Sequence, residues 1–144
     1  MAERDPRLYG TPESAARILE DTSTWFVVGL GNNPERDAYG IARLLQSRDK
    51  RIVPIYPRAE VVHGEQGYAT IADAVAAVGQ PDVIDLFVRS DRVAPFVDEA
   101  IAVGARAVWM QLGVVDEGAA QRAVAAGLDV VMDNCPAIVW RRGE

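Results

Sequence analysis

The stretch Trp25-Phe26-Val27-Val28-Gly29-Leu30-Gly31 decides the fold, because an apolar run leads directly into a loop with two glycines. A continuous apolar run of this length is typical of a strand buried on both faces, as in a parallel sheet. The glycines let the backbone turn tightly and approach a bulky group. An amphipathic helix is predicted next, with Ala38, Ile41, Ala42 and Leu45 at helical spacing.

The alternation of buried strand and amphipathic helix continues along the chain. After the first strand, at residues 25–28, further strands are predicted at residues 51–56, 83–88, 107–110 and 128–132. Thr11 and Pro12 begin an additional N-terminal helix over residues 12–21. Ser90 is predicted to cap the helix after the third strand, and Asp116 opens the helix after the fourth. This pattern predicts an α/β fold, a doubly wound, Rossmann-like parallel five-stranded sheet with strand order 3-2-1-4-5. Pro54 is a mild objection to the second strand, because proline cannot donate a ladder hydrogen bond.

Composition and charge indicate an ordinary globular protein. The net charge of −6 argues against a nucleic-acid or membrane-surface binder, although a few arginines in one cleft would still attract a small anion. The single cysteine, the charged N-terminus and the lack of a bilayer-spanning apolar run predict a cytoplasmic protein. Residues 1–144 are expected to form one domain, with residues 1–10 as a loose lead-in.

The loop at residues 29–34 is the candidate ligand site. In a doubly wound sheet, ligands bind at the carboxyl ends of the strands where the strand order reverses, here expected between strands one and four. The glycines and the N-terminus of the next helix suit a diphosphate there, although they would also suit a simple tight turn. Pro34 replaces the third glycine of a dinucleotide fingerprint.

The end of the second strand narrows the choice of ligand. A typical NAD site has an acidic residue there to bind the ribose hydroxyls, whereas this chain has Tyr56-Pro57-Arg58. A cation at Arg58 suits a phosphate on the ribose, which indicates NADP or coenzyme A (CoA). The alternative is that Arg58 is a solvated surface residue.

Five segments at the strand ends carry a family resemblance. They are residues 28–36, 53–57, 83–89, 108–113 and 131–136. Together they resemble the small bacterial CoA-binding proteins, which look like the N-terminal CoA-binding domain of the succinyl-CoA synthetase alpha subunit standing alone. Trp109-Met110-Gln111-Leu112-Gly113 and Asp133-Asn134-Cys135-Pro136 are the most specific segments, and the likeness runs from about Trp25 to about Ile138.

The resemblance implies a CoA-binding fold and assigns candidate residues to parts of the ligand. The diphosphate would be lined by Gly29, Gly31, Asn32, Asn33, Pro34 and Arg36. The adenosine end would be flanked by Tyr56, Pro57 and Arg58. A wall after strand three would consist of Phe87, Val88 and Arg89, and the residues across the switch point would be Gln111, Leu112 and Gly113. Gly31 departs from the family, which more often has serine there.

No catalytic or metal-binding residue is predicted. The synthetase subunit carries a phosphorylated histidine in a second domain. His63, in the irregular segment after strand two, does not correspond to that histidine. Asp85 in the third strand is expected to satisfy a local hydrogen bond. Cys135 is either a partly buried structural cysteine or a partner for the CoA thiol in a mixed disulfide.

The leading functional hypothesis is non-catalytic binding of CoA or an acyl-CoA through the first loop, with Arg36 and Arg58 as candidate cations. Two classes of alternative stay open. One is an enzyme, either a small NADP-dependent oxidoreductase or a CoA-handling subunit completed by a partner chain. The other is a regulatory module that senses a nucleotide and signals to a partner.

Overall fold

The computed structural model describes residues 4–143, in which five strands form one all-parallel sheet. The strands are β1 (Thr24–Val28), β2 (Arg51–Ile55), β3 (Val83–Leu86), β4 (Ala107–Met110) and β5 (Asp129–Val131). Each lies within two residues of its predicted bounds. The predicted α/β class and the five-stranded parallel sheet are therefore confirmed.

Helices connect the strands and cover both faces of the sheet. Within residues 4–143 they are α1 (Pro6–Tyr9), α2 (Pro12–Asp21), α3 (Asp37–Ser47), α4 (Ile71–Val78), α5 (Val93–Ala102), α6 (Glu117–Ala125) and α7 (Pro136–Gly143). A single 3₁₀ turn (Ser90–Arg92) precedes α5. None of the helices in the described part of the chain is both long enough and apolar enough to cross a membrane.

The strand order is β2-β1-β3-β4-β5, so the predicted order 3-2-1-4-5 is wrong. β1 pairs with β2 on one side and with β3 on the other. The second strand is therefore an edge strand, which is where a sheet tolerates proline. The Pro54 carbonyl points to the open side of β2 and accepts a hydrogen bond from the Tyr68 N–H (2.9 Å). The order reverses between β1 and β3, not between strands one and four, and the ligand-binding position moves accordingly.

The chain first moves from β1 to β2 and then back across the sheet to β3, β4 and β5. Because crossovers are right-handed, this change of direction places the helices on both faces of the sheet. One face carries Trp25, Val27 and Trp109 and is covered by α2, α3 and α7. The other is covered by α1, α4, α5 and α6. Trp25 and Trp109 are fully buried, with ring centroids 5.6 Å apart.

Local capping explains where several helices begin. Thr11 caps α2 and Asp116 caps α6, both as predicted, by accepting hydrogen bonds from the backbone N–H groups of Ser14 and Ala119 (3.0 Å each). The prediction that Ser90 caps a helix is wrong, because its Oγ accepts instead from the Val115 N–H (3.0 Å). This bond ties the loop after β3 to the loop after β4.

The two chain ends are more ordered than the sequence indicates. Asp5 caps the helical turn of α1, so the loose lead-in predicted for residues 1–10 contains regular structure from Pro6 onward. Residues 1–3 of that prediction lie outside the described residues. α7 has no counterpart among the predicted helices. Pro136, at its first position, is the sequence signal for its start.

Candidate functional site

Gly29 marks the point where the loops after β1 and β3 touch. Its N–H donates to the Ile55 carbonyl (2.8 Å), and its φ is +95°. A Cβ at this position would lie 2.3 Å from the Phe87 carbonyl oxygen. Only glycine fits, so the backbone is forced to pass closely through the switch point between β1 and β3.

Two side-chain hydrogen bonds hold the rest of the first loop. The Asn32 side chain donates to the Val61 carbonyl (2.9 Å), and the Asn33 side chain accepts from the Glu35 N–H (3.0 Å). α3 begins at Asp37 with no side-chain cap on its first turn. Asp37 and Ala38 of that turn line an adjacent cleft. The loop thus presents an uncapped helix N-terminus at the carboxyl edge of the sheet, where backbone N–H groups attract anions.

A smaller cleft of about 310 Å³ lies between the first loop and the end of β2. It is lined by Gly29, Gly31, Asn32, Asn33, Arg36, Tyr56, Arg58 and Glu60. The Tyr56 ring packs against Gly31, since a Cβ there would lie 3.3 Å from its Cε2 atom. Arg36 and Arg58 are both exposed, which leaves two cations beside the loop.

A larger cleft of about 700 Å³ lies on the other side of Arg36. α3, α7 and the loops after β3 and β4 line it, and its apolar wall consists of Ile41, Phe87, Val88, Leu112, Val114 and Ile138. Arg36 lines both clefts. The two clefts therefore meet at this arginine and at the N-terminus of α3.

The combined clefts do not share the negative charge of the whole chain. Their charged residues are four arginines (Arg36, Arg58, Arg89 and Arg141) and three acids (Glu35, Asp37 and Glu60). Arg89 is paired with Asp91 at 3.0 Å. With Arg89 paired, three arginines balance the three acids, so the clefts are neutral in a chain whose net charge is −6. The exposed Arg36 and Arg58 make the first loop locally suited to an anion.

A buried carboxyl group lies behind Gln111, one of the residues that line the larger cleft. Asp85 lies in the middle of β3, is completely inaccessible to solvent, and accepts a hydrogen bond from the Gln111 side-chain amide. Burial raises the pKa of Asp85 to about 8, and the bond from Gln111 opposes that rise. The group is therefore a neutral acid over most of the physiological pH range.

Cys135 lies beside this pair at the start of α7. Trp109 fixes the preceding residue, since its indole N–H donates to the Asn134 carbonyl (3.0 Å). Burial raises the pKa of the Cys135 thiol, while the backbone N–H groups of Ala137 and Ile138 lower it. The thiol is thus kept protonated near neutral pH, which makes it a weak nucleophile.

Most of the sequence-predicted site residues come together in these two clefts. The smaller cleft contains Gly29, Gly31, Asn32, Asn33, Tyr56 and Arg58, the larger contains Pro34, Phe87, Val88, Arg89, Gln111 and Leu112, and Arg36 lines both. Pro57 and Gly113 lie next to the clefts and line neither. The Gly113 N–H instead donates to the Asp133 side chain (2.7 Å), beside a separate groove of about 600 Å³ between α1, α2 and α7.

His63 also lies outside both clefts. Its Nε2 is 2.8 Å from the Tyr39 carbonyl oxygen, and its ring centroid is 4.2 Å from that of Tyr39. These contacts join the irregular segment after β2 to α3.

The side of the larger cleft that α7 supplies is not predicted from the sequence. Ala137, Ile138 and Arg141 line it together with Ala38, Gly40 and Ile41 of α3. Pro136 was the available signal, because proline is favoured in the first turn of a helix. The pairing of Asp85 with Gln111 was also missed, since nothing in a single sequence links the two positions.

The fold and its clefts define a doubly wound α/β protein with an anion-suited, elongated cleft at its topological switch point. The model of the CoA-binding domain family matches residues 23–141, and the chain belongs to that family. The family expected from the strand-end segments is thereby confirmed.

The chain also resembles other proteins over most of its length. The chain is 26% identical to the uncharacterized protein YneT of Bacillus subtilis over 118 residues. This match covers 82% of the chain and 85% of YneT. A hypothetical protein from Pyrococcus horikoshii is 30% identical with a TM-score of 0.87, over 99% of this chain and 98% of that one. The dinucleotide-forming acetyl-coenzyme A synthetase 1 of Ca. Korarchaeum cryptofilum, at 23% identity and a TM-score of 0.65, shares the fold over 77% of this chain and 26% of the synthetase.

Proposed function

We propose that the protein binds CoA or an acyl-CoA across the two clefts. The observation that carries the proposal is that the clefts meet at Arg36 and the uncapped N-terminus of α3. In this arrangement the diphosphate lies at Arg36, the adenosine and its 3′-phosphate occupy the smaller cleft, and the pantetheine chain follows the larger cleft toward Gln111 and Cys135.

The chemistry of each cleft supports the matching part of the ligand. CoA is long, with its negative charge on the diphosphate and on the 3′-phosphate of the ribose. Arg36 and Arg58 line the smaller cleft, where those phosphates would be bound by charge-assisted hydrogen bonds. The larger cleft has an apolar wall, which suits the mostly uncharged pantetheine chain.

The same cations also suit NADP, whose ribose carries a 2′-phosphate. Calorimetric titration of the purified protein with CoA, dephospho-CoA, acetyl-CoA, NAD and NADP separates these ligands. We expect CoA to bind well and dephospho-CoA poorly, because dephospho-CoA lacks the 3′-phosphate. Binding of NAD or NADP with no response to CoA would overturn the proposal.

A variant at Arg58 tests the position of the 3′-phosphate. Arg58→Ala should weaken CoA about tenfold, as expected for the loss of a charge-assisted bond, and leave dephospho-CoA unchanged. An equal loss for both ligands would show that Arg58 contacts another part of the molecule.

A further inference from the structure

The Asp85 carboxyl group has one oxygen that the fold does not satisfy. Oδ1 accepts from the Gln111 amide, whereas Oδ2 is buried and has no hydrogen-bond partner among residues 4–143. A buried polar atom without a partner carries the full cost of its desolvation. A group that enters from outside the described chain and bonds to this oxygen would remove that cost.

The position of Asp85 shows where such a group would enter. In the parallel register, Asp85 pairs with Val27 of β1 and Trp109 of β4, and it therefore faces the side of the sheet covered by α3 and α7. Its hydrogen-bond partner Gln111 lines the larger cleft, and so does Cys135, which lies close enough to Asp85 for the two groups to interact electrostatically. Asp85 thus lies under the inner end of that cleft.

The kind of group that would satisfy Oδ2 follows from its protonation. A carboxyl group this deeply buried, with no cation beside it, is held as a neutral acid, so Oδ2 carries a proton to donate. A thiol sulfur is a weak acceptor, whereas a carbonyl oxygen is a strong one. The free thiol of CoA would leave this donor poorly satisfied, but the carbonyl of a thioester would satisfy it.

We propose that the inner end of the larger cleft is a thioester subsite, in which Asp85 donates a hydrogen bond from Oδ2 to the carbonyl oxygen of an acyl-CoA. The proposal rests on the CoA-binding function proposed above and deepens it. Gln111 positions the acid by occupying Oδ1, which leaves Oδ2 as the donating atom. The ligand class is therefore acyl-CoA in preference to free CoA.

A ligand pair that differs only in the carbonyl tests this subsite in the unmodified protein. Acetyl-CoA and its thioether analogue S-ethyl-CoA have the same length, but only acetyl-CoA has the carbonyl acceptor. Calorimetry should show acetyl-CoA bound about five- to tenfold more tightly, the factor expected for one net hydrogen bond. Equal affinity for the two ligands, or tighter binding of S-ethyl-CoA, would overturn the subsite.

Two variants assign the preference to Asp85. Asp85→Asn retains an acceptor for Gln111 and a donor in place of Oδ2, so the preference for acetyl-CoA should persist. Asp85→Leu removes both and should bring the ratio to about one, while Arg43→Ala, at an exposed position of α3 that lines neither cleft, should leave it unchanged. If Asp85→Leu does not fold, the comparison in the unmodified protein still decides the matter. A protein that binds neither CoA nor its thioesters would contradict the proposed function itself, whereas binding without the carbonyl preference would contradict the subsite alone.

Discussion

The two ends of the combined cleft are built on opposite physical principles. At the outer end, Arg36 and Arg58 are exposed, and their charges stay in contact with water. At the inner end, Asp85 is completely buried and neutral beneath Gln111. Exposed charges contribute little to folding, whereas a buried acid affects the free energy of unfolding directly. Changes at the outer end should therefore alter ligand affinity, and changes at the inner end should also alter stability.

The largest expected effect is at Gly29, where the loops after β1 and β3 touch. Gly29→Ala should destabilise the protein by about 4 kcal/mol or more, because the new Cβ would lie 2.3 Å from the Phe87 carbonyl oxygen at a φ of +95°. Gly64→Ala is the matched control, since Gly64 also has a positive φ but has no atom within 4 Å of its Cβ position. Urea unfolding should show a loss of only about 1–2 kcal/mol for the control. Equal losses for the two variants would contradict the close approach of the loops.

The next effect is the pH dependence of stability that Asp85 introduces. Its pKa is about 8 in the folded protein against 3.8 for an unperturbed aspartate, so the folded state retains a proton that the unfolded state has released. The unfolding free energy of the native protein should therefore fall relative to that of Asp85→Asn as pH rises, by about 3 kcal/mol between pH 5 and pH 7. The contribution is fully present below the unfolded-state pKa and is lost as pH rises through the folded-state pKa. Parallel pH profiles for the two proteins would contradict the buried neutral acid.

At the outer end, Arg36→Ala should weaken CoA about 30-fold, or about 2 kcal/mol, because a charge-assisted bond to the diphosphate is lost. Arg43 lies on α3, is exposed, and lines neither cleft, so Arg43→Ala should leave the affinity unchanged. Thermal unfolding of both variants should match that of the native protein, as expected for exposed charges. A similar loss of affinity in both variants would indicate long-range charge effects instead of contact.

The smallest effect is expected at Gly31, which departs from the family pattern. Gly31→Ser places a Cβ 3.3 Å from Cε2 of Tyr56, so the ring must shift by a few tenths of an ångström. The added hydroxyl supplies one more donor near the diphosphate. Calorimetry should show CoA affinity changed by less than about threefold, since these effects are small and opposed. A loss greater than tenfold would show that the packing of Tyr56 against Gly31 is essential to the smaller cleft.

Local patterns in the sequence predicted the elements of the fold well. The apolar runs and the caps at Thr11 and Asp116 predicted the strands and the starts of two helices, because each depends on neighbouring residues. The strand order was wrong, because pairing joins segments that are distant in the chain. Pro54 was the local evidence against that order, since a proline is better placed in an edge strand than beside two partners.

The candidate site likewise has a part that local sequence predicts and a part that depends on tertiary packing. The loop at residues 29–34 and Arg58 were identified because they follow strand ends. The α7 wall and the partnership of Asp85 with Gln111 depend on tertiary packing, since these two residues are 26 positions apart in sequence. Single residues could be predicted from their positions, but the cleft in which they meet could not.

A crystal structure of the protein with CoA tests the account most directly. The account predicts the diphosphate at Arg36 and the first turn of α3, the adenosine beside Tyr56 and Arg58, and the thiol end near Gln111 and Cys135. CoA bound instead in the groove between α1, α2 and α7, with the two clefts at Arg36 empty, would contradict it.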